Sequence, residues 1–370
     1  MCLKARCVVW CRAFLYIYYC INYCAGVGFG ALIVMIGCGL NVLYRSSARC
    51  SEVEMNLASI GNTPLVELTK LALNGGRLFA KCEHMNPSGS HKDRTYLNIV
   101  TVLEGEGAIH KGMTLVDCST GNGGAALAWI GREKGYKVKI FMPEGMTQER
   151  KDQIHAYGAS FIETPKETFL IGAADAAREY VQRHSDGHMF FLDQSSTLLN
   201  KFAWHACGEE IVSALNRVSM TPDYFICSIG TGGTFCGIAE VLKRDYPMIK
   251  TVGIEVDSSA PLYSARRGLE FEHCPHNLMG LGAGEVSINT VTELIDDVVV
   301  VAGDAAWDRM KAFVVEDEFD IGPTCGANLI VCEHLAQLNQ GKNIVTVFFD
   351  NAWKYKSRWG GVYPEYVEIK

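Results

Sequence analysis

"YFICSIGTGGTFCGIAEVLK", residues 224–243, holds three kinds of chain in succession. Tyr224 to Ile229 is a short apolar run. Gly230 to Thr234 is nearly bare backbone carrying two threonine hydroxyls. From Phe235 the apolar residues return at helical spacing. A continuous apolar strand that feeds a helix belongs to a parallel sheet covered on both faces. The same succession extends outward from this stretch. Upstream, "TLVDC" (114–118), "KVKIFM" (137–142), "SFIE" (160–163) and "MFFLD" (189–193) alternate with helix-like segments, the longest from Phe169 to His184. Thr147 is placed to cap the helix after "KVKIFM". Downstream come "TVGIEV" (251–256) and "NIVTVFF" (343–349). The expectation is an α/β protein of two lobes with mainly parallel sheets. Open parallel sheets bind ligands beyond the carboxyl ends of their strands, which points to the cleft between the lobes.

Four loops stand where such a ligand would meet them. "NPSGSHKDR" (86–94) sets a tight polar turn before Lys92, at what reads as a helix start. A surface lysine needs no such setting, whereas a lysine that bonds to something held at the turn does. "STGNGG" (119–124) offers backbone N–H groups at a helix N-terminus, suited to a carboxylate or phosphate. "GTGGT" (230–234) suits a phosphate monoester. It lacks the lysine of a Walker A loop, and Phe235 stands where a dinucleotide loop has its last glycine. Glu255, ending the next strand, keeps a nicotinamide-dependent dehydrogenase as a competing reading. "GPTCGAN" (322–328) presents Thr324 and Cys325 between glycines. Each loop alone is compatible with a plain strand-to-helix turn. In this order they suit a phosphorylated aldehyde that forms an imine with the lysine. Asp93 and Arg94 are expected to pair and brace the turn. Cys325, Trp353 and Trp359 are expected to serve packing or subunit contact.

Composition narrows the classes. With 48% hydrophobic and 20% charged residues, the 370-residue chain can bury a sizeable core. Its net charge of -7 and the lack of a basic stripe exclude a nucleic-acid surface. None of the 15 cysteines forms a Cys-x-x-Cys pair, and the ten histidines show no metal-binding spacing, so no metal is expected. Reduced, mostly buried thiols in a reducing compartment, the cytoplasm, follow. From Phe14 to Tyr44 there is no charged residue, a run longer than the ~20 residues that cross a bilayer. Residues 14–44 are therefore read as a possible membrane anchor. A cleaved signal, an organelle-targeting segment, or an extension absent from the working protein are the alternatives.

The chain resembles the fold-type-II pyridoxal-phosphate enzymes of the cysteine synthase (O-acetylserine sulfhydrylase) and cystathionine β-synthase group. The resemblance runs from "SIGNTPLVEL" (59–68) to "FFDNAWKYKS" (348–357), with "MPEGMTQERKDQIHAYGA" and "GLGAG" (280–284) between the loops above. It implies a tryptophan synthase β-like fold with pyridoxal 5'-phosphate in the cleft between two lobes. Residues 1–50 would be a hydrophobic extension and 51–370 the catalytic domain, with a small lobe of about 91–198 and a large lobe of about 55–90 plus 199–370. Lys92 would hold the cofactor as an imine and then act as the base at the substrate α-carbon. Asn122 would bind the 3′ oxygen, and Gly230, Thr231, Gly232, Gly233 and Thr234 the phosphate. Thr324 would face the ring nitrogen. Ser119, Thr120, Gly121 and Gln194 would hold the substrate carboxylate. The implied chemistry is β-replacement or β-elimination on serine or O-acetylserine through an aminoacrylate, with a thiol or sulfide as nucleophile and cysteine as product. Cystathionine or β-cyanoalanine synthesis, or a non-catalytic cofactor-binding relative that serves as a sensor or partner protein, are the alternatives. A homodimer is expected on the same ground. The group's loops are altered at Gly123, which loses a hydroxyl, at Ser195, at Gly322 to Gly326, and at Asp350 to Tyr355.

Overall fold

The computed structural model describes residues 56–364 apart from positions 72–73, 185–186, 283, 318 and 362. The ten strands among them form two sheets. The larger sheet runs in the order β1 (Leu65–Glu67), β2 (Leu78–Cys82), β10 (Ile344–Phe348), β7 (Tyr224–Ser228), β8 (Lys250–Val256), β9 (Asp297–Val301). Only β1 is antiparallel to its neighbour. The smaller sheet is parallel throughout, in the order β5 (Ser160–Thr164), β4 (Lys137–Pro143), β3 (Thr114–Cys118), β6 (Met189–Phe191). The fold is the expected α/β arrangement with mainly parallel sheets.

The apolar runs read from the sequence become the inner strands. Every residue of β2 and β10 is buried, and all but the first of β3, β7 and β8. The edge strand β5 is mostly exposed. Helices close both faces of each sheet, as the absence of polar alternation demands. Trp204, Phe225, Phe235, Phe313 and Phe348 lie in the core of the larger sheet, and Trp129, Leu115 and Ile140 in that of the smaller. Each such side chain contributes roughly 1.5–3 kcal/mol by leaving water.

Because every strand but β1 runs parallel to its neighbours, the carboxyl ends of those strands in each sheet lie together. The loops that leave β3, β6, β7 and β10 carry Ser119 to Asn122, Gln194, Gly230 to Thr234, and Asp350 respectively.

Three expectations need correction or comment. Thr147 sits before the helix Gln148–Ala156 but does not cap it, because its hydroxyl donates to the Lys354 carbonyl at 2.7 Å. Glu255 does not face a nucleotide site. It is buried and accepts the backbone N–H groups of Leu262 and Tyr263 at 3.1 and 2.7 Å, capping the helix Pro261–Arg267. Residues 14–44, read as a possible anchor, lie outside the described residues. Among those described, no helix is long and apolar enough to cross a membrane.

Candidate active site

Lys92 opens the helix Lys92–Gly105. The turn before it is held by side chains that have left water. Asn86 donates to the Glu83 carbonyl and carboxylate, each at 2.8 Å, and accepts the Gly61 N–H at 2.9 Å. Asp93 accepts the Ser88 N–H at 2.8 Å and also the Ser88 hydroxyl. An acid in the first helical turn also suits the positive end of the helix dipole. Asp93 and Arg94 do brace the turn, but not by pairing with each other. Arg94 reaches Glu83 at 2.7 and 2.9 Å and Glu210 at 2.9 and 2.7 Å.

The Lys92 amine donates to Gln194 Oε1 at 2.8 Å. Burial pushes its pKa down to about 8, against the opposing pull of Asp117. A substantial fraction is thus neutral near physiological pH, as a nucleophile or base requires. Gln194 in turn donates to the Cys118 carbonyl at 3.2 Å.

Asn122 opens the helix Asn122–Lys134 behind Gly121, whose φ of +135° only glycine adopts without strain. Its Nδ2 donates to Asp350 Oδ2 at 2.6 Å, while its Oδ1 is buried without a partner. Thr324, near the start of the helix Pro323–Leu338, likewise has a buried hydroxyl with no partner. Asp350 Oδ2 also accepts the Tyr355 hydroxyl at 2.6 Å and Arg150 at 3.2 Å. Ser119 Oγ accepts the Gly121 N–H at 3.1 Å, and Thr120 Oγ1 donates to the Met279 carbonyl at 2.8 Å. The loop 230–234 enters the helix Gly233–Asp245 through Gly232, at φ +78°. Thr231 Oγ1 accepts Asn200 Nδ2 at 3.0 Å.

One cleft gathers these groups. Lys92, Ser119, Thr120, Asn122, Gln194, Gly230, Thr231, Gly232, Thr234 and Thr324 all line it. Gly121 and Gly233 do not. A side chain at Gly121 would run into Arg150, and one at Gly233 into Asn200, so both glycines serve close packing behind the cleft. The cleft holds about 780 Å³, its open mouth included. Buried polar atoms without partners are rare because each costs free energy. Two of them, Asn122 Oδ1 and Thr324 Oγ1, belong to residues that face one cleft with a basicity-lowered lysine and a glycine cradle. That donor set fits a polar ring with a phosphate tail and an aldehyde.

Residues 57–350 match the model of the pyridoxal-phosphate dependent enzymes. The chain belongs to that family. It is 35% identical over 301 residues to a cysteine synthase of Staphylococcus aureus, covering 80% of this chain and 94% of that one. A solved hydrogen sulfide-producing enzyme of Fusobacterium nucleatum superposes with a TM-score of 0.75 at 31% identity, covering 81% of this chain and 98% of the other. An O-acetylserine dependent cystathionine β-synthase of Helicobacter pylori gives a TM-score of 0.74 at 26% identity, covering 82% and 96%. The protein is thus a pyridoxal-phosphate-dependent enzyme of the β-replacing, fold-type-II cysteine synthase family.

In this member of the family, the hydroxyl missing at Gly123 has a local cause. A Cβ there would lie 2.9 Å from the Tyr96 hydroxyl and 2.9 Å from Ser119 Oγ. The space is already filled by Tyr96, a residue the sequence reading did not single out. His91, Leu170, Met279, Leu281, Phe349 and Asp350 also line the cleft without having been assigned to it. His91, Leu281, Phe349 and Asp350 lay within strand and loop stretches the sequence singled out, whereas Leu170 and Met279 had no such signal.

Proposed function

We propose that this enzyme replaces the β-hydroxyl of serine or the β-acetoxy group of O-acetylserine with a small sulfur nucleophile, sulfide above all, giving cysteine and releasing water or acetate. One observation favours sulfide. Among the described residues lining the cleft, Lys92 is the sole lysine or arginine. A second amino acid such as homocysteine brings its own carboxylate, and burying that without a counter-ion is costly. Sulfide brings no carboxylate.

The residues divide the work as follows. The amides of Gly230, Thr231, Gly232 and Thr234 would hold the phosphate, and Lys92 would attach the cofactor covalently through its amine. Asn122 would meet the ring oxygen. Thr324 would meet the ring nitrogen with a hydroxyl, which does not force that nitrogen to carry a proton. When bound, the cofactor supplies the electron sink for the α-carbon. Lys92, near neutrality, would accept the α-proton and hold it at Nζ. Ser119 and Thr120 would orient the substrate carboxylate, while Gly121, behind the cleft, holds Ser119 Oγ through its N–H. Gln194 would join them once its oxygen no longer accepts from Lys92, and Thr120 must likewise exchange its bond to the Met279 carbonyl.

The test is product formation by the full chain supplied with pyridoxal phosphate. O-acetylserine and serine are each offered with sulfide, homocysteine or cyanide. Cysteine from sulfide should form at least about tenfold faster than cystathionine, the ratio that one poorly compensated buried charge sets. Cystathionine as the faster product would overturn the reading. Absence of any product from a chain that retains the cofactor would favour a sensor or binding role.

The cradle has its own test. A methyl group at position 232 would collide with Thr290 Oγ1 and would be strained at φ +78°. Gly232→Ala should weaken cofactor retention roughly tenfold or more, measured by fluorescence titration.

A further inference from the structure

Asp117 is the penultimate residue of β3, two positions before the loop that begins at Ser119, and is fully buried. A buried carboxylate needs donors, and this one draws them from three segments of the site. Tyr96, one turn after Lys92 on the same helix, donates its hydroxyl to Asp117 Oδ2 at 2.9 Å. The Cys118 N–H donates to Oδ1 at 2.7 Å. The backbone N–H of Gln194, whose side chain accepts from Lys92, reaches the same carboxylate. The Tyr96 hydroxyl occupies the place a side chain at position 123 would need, so Gly123, Tyr96 and Asp117 form one fitted unit behind Lys92.

We propose that Asp117, held by Tyr96, is a positioning residue for the Lys92 amine: it orients the amine's Gln194 acceptor and supplies its buried counter-charge. The inference rests on the assignment of Lys92 as the reacting amine. Its electrostatic sense is consistent. Asp117 pulls the Lys92 pKa up while burial lowers it to about 8, and burial raises Asp117 itself to about 7. The other ionisable groups facing Asp117 are Tyr96 from the helix, Asp193 from the loop after β6, and Cys118 on its own strand. Lys92 is the buried cation beside Asp117, and Arg178 reaches this group of residues from outside through Asp193 at 3.3 Å.

The test uses Asp117→Asn in the full chain, with any bound cofactor first released by hydroxylamine. The asparagine oxygen can still accept from Tyr96, but the charge is gone. The readout is the rate at which acetic anhydride acylates Lys92 across about pH 6 to 9, followed by mass spectrometry. Only the neutral amine reacts. Losing a nearby opposite charge lowers an amine's pKa by about one unit or more. Acylation at pH 7 should therefore rise up to roughly fivefold, as the neutral fraction of an amine whose pKa falls from about 8 to about 7 does, and converge with the parent chain at high pH. Tyr96→Phe, which weakens the ionised carboxylate, should shift the curve the same way by less. Overlap of the Asp117→Asn and parent curves, or the same fall at every pH, would overturn the proposal. A parent chain that acylates normally yet does not capture pyridoxal phosphate at Lys92 would sink the proposed function and leave this inference standing.

Discussion

Lys92→Ala should abolish covalent capture of pyridoxal phosphate and cut turnover by at least about 10³-fold. The parent chain, treated with the cofactor and borohydride, should carry the added mass on the peptide containing Lys92, and the variant should carry none. An absorbance band near the visible edge should vanish with it. The fold should survive, because Lys92 lines the cleft and its amine bonds only to Gln194 among the described partners. Circular dichroism and the melting temperature check that point. A variant that still captures the cofactor elsewhere and turns over at parental rates would remove Lys92 from the chemistry.

The second large effect is on stability. Glu83 is completely buried and accepts Arg94 twice, Thr63 at 2.5 Å and Asn86 at 2.8 Å. Arg94 is also bound to Glu210, which meets Lys81 of β2. Removing the charge of Glu83 leaves buried cations under-compensated, which costs about 3–5 kcal/mol. Glu83→Gln should lose that much in urea unfolding at neutral pH. The pH dependence has a definite sign. The Glu83 pKa falls from 4.5 to about 2, held down by Arg94 and Lys81 against the cost of burial. Its contribution is therefore fully present above pH 4.5 and is lost as pH falls from there towards 2. The stability gap between parent and variant should close over that window. A gap that stays constant from neutral pH to pH 3 would mean that packing, not charge, holds the turn.

The inner strands were legible because an apolar run between two helices has few alternatives. Thr114–Cys118 is the strand the sequence indicates, and Tyr224–Ser228 and Ile344–Phe348 differ from the indicated runs by one residue at an end or two. β2 was not read as a strand. Lys81 interrupts its apolar run, and a lysine inside a covered strand makes sense only beside Glu210 and the Thr63 carbonyl. Those partners lie far away in sequence. β9 was passed over too, and its place at the sheet edge comes only from its pairing with β8. In the site, residue types at strand ends identified the cleft. They could not show that Asp93 bonds to Ser88 rather than Arg94, or that Glu255 caps a helix. They also could not show that Tyr96 fills the space beside Gly123, since each depends on tertiary neighbours. Of the eight described cysteines, seven are buried and Cys274 is exposed, none in a disulfide.

The position of β10 has a consequence for how the protein is made. Ile344–Phe348 is inserted between Leu78–Cys82 and Tyr224–Ser228. During translation the early strand emerges with one flank bare, and must stay so until residues 344–348, more than 250 positions later, have left the ribosome. Pairings between such distant segments form slowly, and an open apolar strand edge in the meantime invites aggregation. Maturation of this enzyme should therefore be governed by the arrival of β10, and recombinant yield should respond to slower synthesis or added chaperone.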